Sequence, residues 1–213
     1  MEKTRAVIFL NGTFTSTGAS TFIPGANDLI IAVDGGIRHP RLLGFTPDIL
    51  IGDLDSIDPV DLEWCQSQQV EIRKYPKEKN ETDFELALDH AVGSVAGVVI
   101  VYGALGGRID HALANIGLLS DPRYTDREIK IVSELETMFF IHRKAAITGK
   151  EGQILSLIPW GEQVTGVTTT GMEYPLKNET LYPYRSRGIS NVVVSGSAII
   201  EYKEGNLLCV INQ

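Results

Sequence analysis

In the N-terminal half of this chain, apolar runs end repeatedly on glycine and aspartate. Ala6–Leu10 closes on Asn11-Gly12, Leu29–Val33 on Asp34-Gly35-Gly36, Ile49–Ile51 on Gly52-Asp53, and Gly97–Tyr102 on Gly103. Such runs lack polar alternation, which marks strands buried on both faces, as in parallel sheets covered by helices. The segments between them carry helical signals. Asp58-Pro59 reads as an N-cap with proline at the first helical position, and Val60 and Trp64 give that helix an inward face. Thr82 and Glu85 form a capping box, followed by Phe84, Leu88, Ala91 and Val92 on one face. A third helix has Ile109, Leu113 and Ile116 on one face, and Ile37–Leu43 is a short helix restricted by Pro40. Val70–Arg73 supplies another strand. Strands alternating with helices predict an α/β domain whose mainly parallel sheet is flanked by helices.

In such sheets ligands bind beyond the carboxyl ends of the strands. Asp53 and Asp55 follow the Ile49–Ile51 strand at a spacing that puts both on one side of an extended chain, roughly 7 Å apart. Two anions at that distance repel by roughly 2 kcal/mol at an effective dielectric of about 20. A divalent cation relieves that cost, and hard oxygen ligands suit Mg²⁺. Asp83 opens a helix behind the charged loop that carries Lys77 and Lys79. Gly106-Gly107-Arg108-Ile109-Asp110-His111 joins the Gly97–Tyr102 strand to the next helix, where backbone N–H groups and a planar guanidinium suit phosphate. Each element has an ordinary explanation by itself. Asp-Leu-Asp-Ser suits a turn, Asp83 is favoured by the helix dipole, and the glycine turn matches neither the P-loop nor the dinucleotide fingerprint. Their collection at strand-to-helix turns is what points to a metal–phosphate site.

After Asp121-Pro122 the pattern changes to short strands separated by turns: Ile129–Val132, Met138–Ile141, Gln153–Ile158, Val192–Val194, Ala198–Tyr202 and Leu207–Ile211. Glu204-Gly205-Asn206 reads as a hairpin turn between the last two. The expectation is two domains: residues 1–123, α/β and carrying the metal–phosphate site, and residues 124–213, an all-β sandwich. The glycine-bearing loops Thr168-Thr169-Thr170-Gly171-Met172-Glu173-Tyr174 and Arg187-Gly188-Ile189-Ser190-Asn191 are the ones best able to touch a ligand. A formal charge of −8 argues against a nucleic-acid partner. Two cysteines in 213 residues make no disulfide framework and suit a reducing cytoplasm. The apolar run Ala6–Leu10 is too short for a signal-peptide core, and no stretch is long enough to span a membrane.

Taken in order, Asp34-Gly-Gly36, Gly52-Asp-Leu-Asp-Ser-Ile57, Lys79-Asn-Glu-Thr-Asp-Phe84 and Gly103-Ala-Leu-Gly-Gly-Arg-Ile-Asp-His111, followed by Thr169-Thr-Gly171 and Gly188-Ile-Ser-Asn191, resemble the thiamine pyrophosphokinase family over nearly the whole chain. The resemblance implies transfer of the terminal pyrophosphate of ATP to the thiamine hydroxyethyl group, giving thiamine diphosphate and AMP. It implies Mg²⁺, and a homodimer with composite active sites. Its implied metal ligands are Asp53, Asp55 and Asp83, with Arg108 and Asp110 also catalytic. Asp34, Gly35, Gly36, Lys79, Thr82, Gly106, Gly107, Arg108 and His111 are expected at the nucleotide, and Thr170, Tyr174, Ser190 and Asn191 at thiamine. The second domain is then the thiamine-binding and dimerisation domain. Asn80, Leu105 and Pro40 stand where this family pattern commonly differs. On the residues alone, a Mg²⁺-dependent phosphohydrolase, a nucleotidyl transferase and a non-catalytic ATP or thiamine sensor remain alternatives.

Overall fold

A computed structural model describes residues 3–14 and 23–213, which divide into two compact units, 1–134 and 135–213. In the first, six parallel strands lie in the order β4-β3-β2-β1-β5-β6, comprising β1 (Arg5–Phe9), β2 (Asp28–Val33), β3 (Ile49–Gly52), β4 (Glu71–Lys74), β5 (Val99–Tyr102) and β6 (Ile129–Val132). Four helices connect them: α1 (Arg38–Leu42), α2 (Pro59–Ser67), α3 (Asp83–Ser94) and α4 (Ile109–Leu118). Both faces of the central strands are covered, so Ala6, Val7, Ile8 and Phe9 of β1 are wholly buried. One face packs Val7, Phe9, Ile30 and Tyr102 together, and another cluster joins Ala32, Ile37 and Leu50 to Cys65 of α2 and Val70. Chain order reverses between β1 and β5, the switch point where this architecture opens a crevice for ligands.

The helix starts are local chemistry. Asp58 accepts a hydrogen bond from Val60 N (2.9 Å), and Thr82 from Glu85 N (3.1 Å). Two helix faces differ from expectation. Trp64 packs against the core of its helix together with Leu62, whereas Val60 is exposed. On α4 the buried side chain is Ala112, while Ile109 and Leu113 are 73% and 51% exposed. Adjacent stripes of one helix can both be apolar, and the spacing does not say which one meets the sheet.

The second unit is all β, made of β7 (Glu136–Ile141), β8 (Lys144–Thr148), β9 (Ile154–Pro159), β10 (Val164–Thr170), β11 (Glu179–Leu181), β12 (Asn191–Val192), β13 (Ser197–Glu201) and β14 (Leu207–Asn212). Antiparallel pairing gives one layer β12-β9-β14-β7 and another β11-β10-β13-β8. Both layers bury side chains in one core that includes Ile141, Leu155, Leu157, Val164, Val167, Ile200 and Leu207. Two expectations are corrected. The division falls after Glu134 rather than at 123/124, because β6 pairs in parallel with β5. Glu204-Gly205-Asn206 is not a hairpin turn, since β13 and β14 belong to different layers and the segment carries the chain between them.

Candidate active site

Register brings the acidic turns together. Val33 stands opposite Ile51, so Asp34, the first residue beyond β2, comes alongside Gly52 at the end of β3. Asp34 has a φ of 46°, a conformation that aspartate tolerates better than most residues. A side chain on Gly52 would place its Cβ 1.8 Å from Asp34 Oδ1, so only glycine leaves room for that carboxylate. Asp34 Oδ1 also accepts a hydrogen bond from Leu54 N at 3.1 Å. Asp53 follows directly, and α3 adds Asp83 from its first turn. Carboxylate oxygens of Asp34, Asp53 and Asp83 all lie within 4.8 Å of one another.

Electrostatics records this crowding. Burial first, and then the charges of Asp83 and Asp53, push the Asp34 carboxyl up to about 7. Asp83 Oδ1 is buried and accepts no hydrogen bond of good geometry, although Lys79 Nζ lies 3.0 Å away as an ion pair. That ammonium also donates to Pro76 O at 3.0 Å. A buried carboxylate oxygen without a hydrogen-bond donor, inside a triad of carboxylates that faces a single ammonium, fits a hard divalent cation.

This cluster differs from the expected set of Asp53, Asp55 and Asp83 in containing Asp34 and not Asp55. The strand has ended at Gly52, and Leu54 adopts a φ of 69°. Asp55 N turns back onto Asp53 Oδ1 (2.9 Å), so the two carboxylates do not follow the side-to-side geometry of extended chain. Asp55 is exposed and pairs with Lys77 Nζ at 2.5 Å, a hydrogen bond that holds its carboxyl below the usual range.

The glycine turns assemble at the switch point. Gly12 N donates to Gly103 O (2.8 Å) and Thr13 N to Leu105 O (2.7 Å), joining the turn after β1 to the one after β5. A Cβ on Gly12 would fall 2.3 Å from both of those carbonyls, so the approach requires glycine. Gly35 and Gly36 are buried in the 3-10 turn after β2, and Gly35 N points to Ser56 Oγ at 3.4 Å. Thr82 is committed to its cap. Gly106 and Gly107 are exposed, as are Arg108, Asp110 and His111. Arg108 grips Asp110 through Nε (3.1 Å) and Nη2 (2.5 Å), holding the aspartate down to about 2, and His111 N donates to the same carboxylate (3.0 Å). Among the described contacts, this pair touches none of the three clustered carboxylates.

In the second unit, Asn191 is buried and its amide is fully engaged. Oδ1 accepts from Tyr174 N (3.0 Å) and Val192 N (2.9 Å), while Nδ2 donates to Tyr174 O (2.8 Å). Asn191 therefore braces the loop that displays Tyr174, whose ring is exposed. Ser190 is exposed with a φ of 55°, its N bound to Ser156 Oγ (3.0 Å). Thr170 is exposed at the end of β10, whereas its neighbour Thr169 is buried and caps Leu176 N at 2.9 Å. Tyr174, Ser190 and Asn191 are thus neighbours, and no local pattern marks Asn191 as the brace of the Tyr174 loop.

The sequence pattern described as "Thiamin pyrophosphokinase, catalytic domain" matches residues 25–132, and "Thiamin pyrophosphokinase, vitamin B1 binding domain" matches residues 140–207. The chain is 29% identical over 184 residues to thiamine pyrophosphokinase of Bacillus subtilis (strain 168), covering 85% of this chain and 86% of that protein. It is 29% identical over 190 residues to thiamine pyrophosphokinase 1 of Oryza sativa subsp. japonica, covering 83% and 69%. The crystal structure of thiamin pyrophosphokinase from Geobacillus thermodenitrificans superposes with a TM-score of 0.83 at 29% identity, over 98% of this chain and 97% of that one.

Proposed function

The chain belongs to the thiamin pyrophosphokinase family, and from that premise we propose that Asp34, Asp53 and Asp83 seat the divalent cation, Mg²⁺, of an ATP:thiamine diphosphotransferase. The observation that carries the metal seat is the triad within 4.8 Å together with Asp83 Oδ1, which is buried without a hydrogen-bond donor. When bound, the cation supplies charge neutralisation and orientation for phosphate oxygens. The thiamine hydroxyl oxygen attacks the β-phosphorus of ATP and gives up its proton to solvent, the bond from that phosphorus to the α-bridging oxygen breaks, and AMP departs with that oxygen. Such transfers depend on in-line positioning and charge stabilisation more than on covalent help.

The chain's own groups divide the rest. Asp34, whose carboxyl is held up by burial and by the neighbouring carboxylates, would ligate the cation as a carboxylate. Lys79, already beside Asp83, lies next to the site of phosphoryl charge. Arg108 exchanges its partner Asp110 for the oxygens of the transferred group, for which its planar donors are suited. The turns bearing Gly35, Gly36, Gly106 and Gly107 keep backbone close to the phosphates. Tyr174 provides a stacking face for the flat thiamine cation, worth about 0.5–2 kcal/mol. Ser190 and Thr170 serve its polar groups. The working unit is a homodimer with composite sites, in the cytoplasm where ATP is available. No helix among the described residues is long and apolar enough to cross a membrane.

Incubation with ATP, Mg²⁺ and thiamine followed by nucleotide chromatography tests the reaction. Equal amounts of AMP and thiamine diphosphate are expected. ADP would make the protein an ordinary kinase, and free pyrophosphate a nucleotidyl transferase. Mixing Asp53→Asn and Tyr174→Ala chains tests the shared site. Heterodimers recover activity if sites are composite and stay inactive if each subunit works alone.

A further inference from the structure

Residues 121–127 join α4 to β6, and they also grip α3 along its length. Asp121 caps the 3-10 turn Pro122–Tyr124 by accepting from Arg123 N at 2.8 Å. Its other oxygen accepts from Arg123 Nε at 3.0 Å, which aims the guanidinium at α3. There Nη2 donates to Glu85 Oε1 (2.8 Å) and Nη1 to both oxygens of Asp89 (3.2 and 3.1 Å). Glu85 and Asp89 stand four residues apart, so they share one face of the helix. Tyr124 is buried and donates its hydroxyl to Asp89 Oδ1 at 2.5 Å. Burial, and then that bond, raise the phenol, which stays a donor. At the far end Arg127 Nη1 donates to Val95 O (3.3 Å) and Ala96 O (3.4 Å), just beyond the last turn of α3.

These contacts fix a coordinate that apolar packing leaves loose. α3 lies against β1, β2 and β3 and buries Phe84, Ala87, Leu88 and Ala91, which sets its distance from the sheet. Apolar contact is non-directional, and Ala87 and Ala91 are too small to key the helix against sliding along its axis. Charged hydrogen bonds are directional, and the planar arginine fork holds two carboxylates of α3 at once. The residue that sliding would displace is Asp83, two positions before Glu85 and a member of the triad. α3 also has a reason to move. It carries Asp83, Glu85 and Asp89 with no lysine or arginine, and Asp83 faces the carboxylates of Asp34 and Asp53. Mg²⁺ tolerates little displacement, since it demands near-ideal octahedral ligands at about 2.0–2.1 Å. A lone exposed ion pair contributes little to stability. Arg123 is half-exposed, but its one guanidinium holds three carboxylates, and a buried phenol shares one of them.

We infer that Arg123 is a positioning residue for the metal seat: through Glu85 and Asp89 it sets where α3 stops along its axis, and thereby where Asp83 sits against Asp34 and Asp53. The inference rests on the metal reading above and adds what holds the third carboxylate in place. The sign of the effect separates position from charge. Arg123→Gln removes a positive charge, so Coulomb attraction alone would tighten a bound cation, whereas a displaced Asp83 loosens it. Glu85→Gln breaks the same grip from the helix side. Mg²⁺ alone is titrated by calorimetry at low salt into the parent, the two variants, Asp83→Asn, and Asp83→Asn combined with Arg123→Gln. Without metal, amide exchange of Leu86, whose N–H donates to Thr82 O (3.2 Å), is compared with that of Ile8 in β1. Mg²⁺ affinity should be about tenfold weaker in Arg123→Gln and weaker to a lesser degree in Glu85→Gln. Adding Arg123→Gln to Asp83→Asn should cause no further loss. Exchange at Leu86 should accelerate about fivefold more than at Ile8. Unchanged or tighter Mg²⁺ binding in Arg123→Gln overturns the inference, as does an equal loss in the Asp83→Asn background or equal acceleration at both amides. If Asp83→Asn binds Mg²⁺ as the parent does, the metal reading itself fails and this inference falls with it. A weakened Asp83→Asn beside an unaltered Arg123→Gln sinks the inference alone.

Discussion

Replacing Asp34 by asparagine isolates the electrostatic cost of the triad. Asparagine tolerates the φ of 46° and can still accept from Leu54 N, so the change removes little but a titratable charge. The carboxyl titrates near 3.8 in unfolded chain and is pushed up to about 7 in the fold, burial being the first cause. A proton held more tightly by the folded state stabilises it at low pH. That contribution is complete below the unfolded value and is lost as pH rises through the folded one. From pH 5 to pH 8 the loss is on the order of 2 kcal/mol, discounted for the partial exposure of the group. Coulomb's law gives a figure of similar size, about 3.5 kcal/mol for two full charges 4.8 Å apart at an effective dielectric of about 20. The assay is urea unfolding in EDTA at the two pH values. Relative to Asp34→Asn, the wild-type protein should weaken by about 2 kcal/mol on going to pH 8, and saturating Mg²⁺ should restore it. A gap between the two proteins that shifts by less than about 0.5 kcal/mol, near the limit of such extrapolations, refutes the argument.

Gly52→Ala drives a methyl group into Asp34 Oδ1, so Mg²⁺ affinity measured calorimetrically should fall at least tenfold, at a stability cost of about 1–3 kcal/mol. Retained affinity would mean that Asp34 is not a ligand. Arg108→Lys should leave stability unchanged, because the side chain is 72% exposed, yet lower turnover more than tenfold through loss of paired planar donors. A lysine variant with the parental rate makes Arg108 an ordinary surface residue. Asn191→Ala strands the Tyr174 backbone groups and should cost about 1–3 kcal/mol in chemical denaturation, with thiamine KM rising and ATP KM unchanged.

The parallel sheet was legible because strands buried on both faces leave unbroken apolar runs, as β1 shows. β6 was misassigned because its IKIV sequence alternates buried and half-buried residues, which imitates an antiparallel strand. β8 went unnoticed because only Ile147 of its five residues is buried, and β11 because it has just three residues. Asp53 and Asp83 could be found from position alone, at a strand end and a helix start. Asp34 as a partner of both could not, since its place depends on β2 lying beside β3 in one particular register. Asp55 stands outside the carboxylate cluster because i to i+2 reasoning assumes extended backbone, which the left-handed Leu54 interrupts. Leu54 has none of the glycine or asparagine character that would have announced such a turn.

The central position of β1 also governs how the chain reaches this fold. β1 pairs on one side with β2, Ala6 opposite Leu29, and on the other with β5, Ala6 opposite Val99. Closing the second loop, 93 residues against 23, costs about 1.2 kcal/mol more in chain entropy. β1 therefore joins β2 first and waits with its other edge bare. At about 5–20 residues per second on a ribosome, the further 70 residues take roughly 4–14 s to appear. Throughout that interval the wholly buried segment Ala6–Phe9 of the finished protein is an open apolar edge, able to accept a strand from another nascent chain. Fragments ending before Tyr102 retain that edge permanently and should aggregate, whereas fragments extending through β6 should stay soluble.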